Sequence, residues 1–125
     1  MKKLYCLIFS LMATVLFAET NVKNIEPGEA DKAIRENKVV VLDLRTPKEF
    51  KAGHIAGARL IDFLDPLFEQ ELARLDKSKT YLIHCASGNR STQALDVFKK
   101  LKFTSVLHLD GGFQAWQKSG KPVEK

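Results

Sequence analysis

Three short runs of apolar and β-branched residues, Val39–Leu44, Tyr81–His84 and Ser105–Leu109, punctuate this chain. None alternates cleanly between apolar and polar residues, as a strand with one wet face would. Near-continuous runs of this kind suit strands buried on both faces, and such strands belong to parallel sheets. Parallel strands cannot be joined by hairpins, so each connection must cross over, usually through a helix packed on the sheet. The sequence between the runs meets that demand. Ala30, Ala33 and Ile34 follow the breakers Pro27 and Gly28 at helical spacing. Ala94, Leu95, Val97, Phe98 and Leu101 form a stripe opposite Gln93, Asp96, Lys99 and Lys100. The pattern predicts an α/β fold with a mainly parallel sheet.

The remaining elements fall between these landmarks. Val22–Ile25 reads as a first strand and Asn37 as a helix stop. Pro47 opens a short helix through Phe50. Residues 51–58, with Gly53, His54 and Gly57, form a loop before a short edge strand at Arg59–Asp62. Asp65 and Pro66 head a helix as cap and first helical residue, with Leu67, Phe68, Leu72 and Leu75 on one face. Phe113 and Trp116 lie on a last short helix, ended by Gly120 and Pro122, and read as core.

In a parallel sheet all strands end at one edge, and ligands bind there. Three segments therefore converge: Asp43–Arg45, Cys85–Arg90 and Asp110–Gly112. Among them Cys85 stands at a strand's end, directly before a Gly-containing loop and a helix start. The first turn of a helix carries unpaired N–H groups and partial positive charge. A thiolate at that point is stabilised, so the thiol pKa is expected below the ordinary ~8.5. Ala86 and Ser87 are small enough to leave the sulfur open, and Gly88 permits the curl that aims backbone N–H groups from Ala86 to Ser91 at it.

Three ordered segments resemble the signatures of the rhodanese family. Val41–Phe50 followed by Gly53–Ala58 is similar to the first, Cys85–Ser91 to the active-site loop, and Leu109–Trp116 to the closing signature; the similarity runs from about Ile25 to Val123. The resemblance implies a rhodanese-like, five-stranded, mainly parallel sheet flanked by helices on both faces. It also implies sulfurtransferase activity through a persulfide on Cys85, with Ala86, Ser87, Gly88, Asn89, Arg90 and Ser91 as the substrate-binding loop. The donor would be a small anion such as thiosulfate, and the acceptor a thiophile such as cyanide or a thiol, including a thiol on a protein. No cofactor is implied. A second reading is a sulfur-carrier or binding module with little turnover of its own.

Loop length separates this chemistry from the nearest rival. Tyrosine phosphatases place Arg after five residues, in a loop sized for phosphate. Here Arg90 follows Cys85 after four, and Ser91 holds the phosphatase Arg position. Arg90 itself has two uses open to it: to face an anionic donor, or to turn inward onto a carboxylate. Asp43, Arg45 and Glu49 read as an ion-pair network behind the loop. His84 should point to the opposite sheet face from Cys85, and His54 and His108 read as structural. Three dispersed histidines and one cysteine outside the N-terminal stretch make no metal site.

Residues 1–18 read as a signal peptide: Lys2 and Lys3, an apolar run to Phe17, then Ala18 before Glu19. The run is shorter than the ~20 apolar residues a spanning helix needs. The expectation is a periplasmic protein with a single domain at 19–125, free of the membrane once the leader is removed. The formal charge is +5, and without Lys2 and Lys3 there are 18 basic against 15 acidic residues, a net +3. That is too mild and scattered for a nucleic-acid partner. Cys6 lies in the leader, which leaves Cys85 without an internal disulfide partner.

Overall fold

A computed structural model describes residues 18–125, together with Lys3, Tyr5, Ile8 and Ser10. The signal-peptide expectation falls almost wholly outside the described residues. Among those described, no helix is long and apolar enough to cross a membrane.

Among the described residues five strands and five helices alternate: β1 (Asn21–Asn24), α1 (Pro27–Arg35), β2 (Val40–Asp43), α2 (Pro47–Ala52), β3 (Arg59–Leu60), α3 (Phe68–Ala73), β4 (Thr80–His84), α4 (Asn89–Lys100), β5 (Ser105–His108) and α5 (Gly112–Lys118). The strands form one sheet in the order β1-β5-β4-β2-β3, and every neighbouring pair is parallel. An isolated antiparallel bridge, His54 to Glu124, ties the C-terminal tail to the loop after α2. The central strand, β4, is the one whose residues after Thr80 are all buried. The edge strand β3 is the shortest, as an exposed edge favours.

Strand parity divides the core. Leu42, Tyr81, Ile83 and Val106 face one layer, where they meet Phe68 and Leu72 of α3 and Ala94 and Phe98 of α4. Val41 and Leu82 face the other, against Ala30 of α1 and Phe113 and Trp116 of α5. Leu42, Leu72 and Leu82 have no exposed surface, and each such side chain stabilises the fold by roughly 1.5–3 kcal/mol on burial. Phe113 and Trp116 are thus core residues, and the Trp116 indole N–H donates to the Pro122 carbonyl (2.8 Å).

One helix start differs from expectation. Asp65 and Pro66 do not open α3. The Asp65 side chain accepts the Leu67 N–H (2.9 Å) and its carbonyl accepts the Phe68 N–H (3.0 Å), which makes a turn, and the helix begins at Phe68. An Asp side chain that bonds two residues ahead closes a turn as readily as it caps a helix. The turn carries Leu67 to the surface, 51% exposed, while Phe68 and Leu72 remain buried.

Candidate active site

Cys85 follows the last residue of β4. By strand parity it continues the face of Tyr81 and Ile83, under the N-terminus of α4. Gly88 is the cap residue of that helix, with φ 103°, and has no side chain to cap with. The sulfur does so instead. Cys85 Sγ accepts the Gly88 N–H (3.2 Å) and the Ser91 N–H (3.3 Å), and the Ser91 hydroxyl lies 3.3 Å away. Two backbone donors and one hydroxyl thus converge on the sulfur of a residue that is 1% exposed.

Burial pushes the Cys85 thiol up. The Ser91 hydroxyl, the Ser91 and Gly88 N–H groups and the Ser87 N–H pull it down and prevail, so it ionises below its ordinary value. The direction agrees with the expectation from the sequence.

The loop is clamped from α5. The Phe113 N–H donates to the Cys85 carbonyl (2.8 Å) and the Gln114 N–H to the Ala86 carbonyl (3.0 Å). This close seating explains two glycines. A Cβ on Gly88 would collide with the Asp110 carbonyl oxygen, and a Cβ on Gly112, at φ 68°, with the Ala86 carbonyl and the Ser87 nitrogen. Asp110–Gly112 therefore joins the site as a backbone wall.

Arg90 turns inward. Its Nη1 and Nη2 donate to Glu49 Oε1 (2.7 Å) and Oε2 (3.0 Å). Glu49 belongs to a capping box with Thr46 at the start of α2, so the fork ties the loop to that helix. Arg90 first, then Thr46, hold the Glu49 carboxyl down at about 2 against the opposing effect of burial. Asp43 and Arg45 form a second, buried pair: Arg45 Nη2 donates to Asp43 Oδ2 (2.7 Å) and to the Gly53 carbonyl (2.7 Å). The Arg45 guanidinium lies over the Phe113 ring at 4.0 Å. These pairs brace the loop from behind; the network of Asp43, Arg45 and Glu49 matches the expectation, the inward turn of Arg90 settles a choice the sequence left open, and neither pair aims a free cation at the sulfur.

His84 takes the opposite face from Cys85 and stacks on Phe113. Its Nδ1 donates to the Cys85 carbonyl (3.0 Å). His54 is structural, stacked on Phe50 at 3.8 Å with Nδ1 bonded to the Phe50 carbonyl (2.8 Å). His108 is hydrogen-bonded at both ring nitrogens, and one of those bonds reaches the site. Its Nε2 lies 2.7 Å from Ser91 Oγ, one hydroxyl removed from the sulfur. The pairing of β5 with β4, His108 beside Ile83, sets it on the Cys85 face. Parity within each strand was legible, but which strands lie side by side was not. Among the described residues no group of His, Cys, Asp and Glu side chains is placed to hold a metal ion.

The family model described as rhodanese-like domain matches residues 26–119. The chain belongs to the rhodanese-like family. A thiosulfate sulfurtransferase GlpE of Pseudomonas aeruginosa is 36% identical over 95 residues, 76% of this chain and 84% of that protein. The probable adenylyltransferase/sulfurtransferase MoeZ of Mycobacterium tuberculosis is 38% identical over 85 residues, 68% of this chain. The rhodanese-like chain spans only 22% of the MoeZ length. The crystal structure of a rhodanese-related protein from Thermoplasma volcanium superposes with a TM-score of 0.72 at 30% identity, over 82% of this chain and 97% of that one.

Proposed function

We propose that this rhodanese-like chain is a sulfurtransferase with Cys85 as its nucleophile. The convergence of the Gly88 and Ser91 N–H groups and the Ser91 hydroxyl on one sulfur carries the reading. Such a cradle favours a thiolate, and after sulfur uptake the same donors suit the charge of a persulfide. The reaction is a double displacement. The Cys85 thiolate attacks the outer sulfur of thiosulfate, the S–S bond of the donor breaks, and sulfite leaves with the bonding pair. A thiophile then attacks the outer persulfide sulfur and restores the thiolate. Ala86, Ser87, Gly88, Asn89, Arg90 and Ser91 form the pocket for that outer sulfur. Arg90 serves by holding the loop on Glu49 rather than by binding the donor. Likeness to a GlpE named as a thiosulfate sulfurtransferase supports thiosulfate as donor. Cyanide, a small thiol or a protein thiol would accept, and the leader-like residues 1–18 support a periplasmic location for this transfer.

Mass spectrometry tests the proposal. Thiosulfate should add one sulfur to the Cys85 peptide, cyanide should remove it as thiocyanate, and Cys85→Ser should gain none. No gain from thiosulfate or other sulfane donors refutes the reading. The 1% exposure of Cys85 favours one variant of it, a carrier that loads and hands on its sulfur but turns over slowly with small acceptors. Loading without steady thiocyanate production would identify that variant.

A further inference from the structure

The Ser91 hydroxyl has one proton and three neighbours: Cys85 Sγ at 3.3 Å, the Gly88 carbonyl at 3.2 Å and His108 Nε2 at 2.7 Å. The Gly88 carbonyl already accepts the Thr92 hydroxyl (2.6 Å) and the Thr92 N–H (3.0 Å), so it has little need of Ser91. The shortest contact is to His108. On the far side of the ring, His108 Nδ1 lies 3.1 Å from Asn24 Oδ1, an acceptor with no proton to give. A neutral His108 therefore carries its proton on Nδ1 and presents the Nε2 lone pair to Ser91. Ser91 donates to His108, and its own lone pair faces the Cys85 thiol. The chain is directed: Cys85 S–H to Ser91 Oγ, Ser91 O–H to His108 Nε2. Ser91 is wholly buried and His108 is 2% exposed, so bulk water does not compete for this route.

We propose that His108 is the base that receives the Cys85 thiol proton, relayed through the Ser91 hydroxyl. Two protons move and no electron changes owner. The S–H bond breaks as its proton passes to Ser91 Oγ, and the Ser91 proton passes to His108 Nε2. The products are a thiolate that now accepts the Ser91 O–H and an imidazolium that donates from Nε2 to Ser91 Oγ and from Nδ1 to Asn24 Oδ1. Asp110 is the charged group that acts on His108, and the titratable Cys85 reaches it through Ser91. Burial works against the imidazolium, while the Asp110 carboxylate favours the added proton. The new thiolate is a second negative charge beside it. Asn24 from β1 and Ser91 from α4 are neutral. His108 is a positioning residue here, since it acts on the sulfur through Ser91, and the inference rests on Cys85 being the sulfur-transfer nucleophile.

The test is the rate of iodoacetamide alkylation of Cys85 against pH, in the full chain, read on the Cys85 peptide so that Cys6 does not contribute. His108→Gln retains an amide that can hydrogen-bond Ser91 but cannot take a proton. Its alkylation midpoint should rise, with a rate at pH 7 roughly tenfold below wild type for each unit of rise. The two rates should converge above about pH 10, where the thiol ionises unaided. Ser91→Ala should raise the midpoint as well, and His108→Gln added to it should change nothing further. An unmoved midpoint in His108→Gln, or a fall in rate that is equal at every pH, overturns the relay. So does a His108 effect that persists in Ser91→Ala. Should His108→Gln not fold, the 15N shifts of wild-type His108 decide, because a neutral ring protonated on Nε2 while Cys85 is a thiol also overturns it. Thiosulfate loading measured on the same samples separates the two claims. A shifted midpoint without sulfur uptake refutes sulfur transfer and supports the relay, whereas uptake with an unmoved midpoint refutes the relay alone.

Discussion

Replacing Glu49 by Gln keeps the side chain's size and removes the charge that Arg90 grips. The fork has two oxygens at 2.7 and 3.0 Å from guanidinium nitrogens, and the amide leaves one acceptor and turns an N–H toward a cation. The folded state holds the Glu49 carboxyl down from 4.5 to about 2. Unscreened, that difference corresponds to about 3 kcal/mol of stability at neutral pH. The side chains are 33% and 21% exposed, so solvent screening reduces the expected loss in Glu49→Gln to about 1–2 kcal/mol. Because the folded value lies below the unfolded one, this stability is fully present above pH 4.5 and is lost as pH falls toward 2. Urea unfolding followed by the fluorescence of Trp116, the single tryptophan, measures it. The gap between wild type and Glu49→Gln should be widest at pH 7 and nearly closed at pH 2. A gap that is absent at pH 7, or as wide at pH 2 as at pH 7, refutes the view that this ion pair braces the loop.

Two glycines should respond oppositely to alanine. Gly88→Ala forces a side chain into a left-handed cap and onto the Asp110 carbonyl, and should cost at least about 2 kcal/mol in urea unfolding. Gly28→Ala, in the first turn of α1 with nothing within 4 Å of its Cβ position, should stabilise by roughly 0.5 kcal/mol. The loop is one residue too short for a phosphatase, so p-nitrophenyl phosphate should not be hydrolysed; turnover that vanishes in Cys85→Ser would contradict that. N-terminal sequencing of the protein from cells should begin near Glu19, and an intact Met1 on a membrane-bound protein would exclude cleavage.

Much of this protein is decided within short stretches of sequence. Runs such as Val39–Leu44 and Tyr81–His84 point to buried strands, because they are too short and, in the first case, too rich in β-branched residues for a buried helix, and a buried extended backbone is satisfied inside a sheet. The placement of Cys85 before Gly88 and a helix start determines the thiol cradle, since its donors come from the next six residues. Loop length is likewise local. Side-chain direction on one strand follows from alternation alone, which is why His84 could be assigned to the face away from the sulfur.

What remained open depended on residues far apart in the chain. Arg90 could face a donor or a carboxylate, and the choice was made by Glu49, 41 residues away, once α2 was packed beside the loop. Leu67 kept its helical spacing on paper and was turned outward by a competing Asp65 turn. His108 read as an ordinary structural histidine until β5 was laid between β1 and β4, which brought Asn24 to one ring nitrogen and Ser91 to the other. Strand parity says which way a side chain points but not what it meets, because the meeting depends on the order in which the strands lie in the sheet, and only the folded chain determines that order.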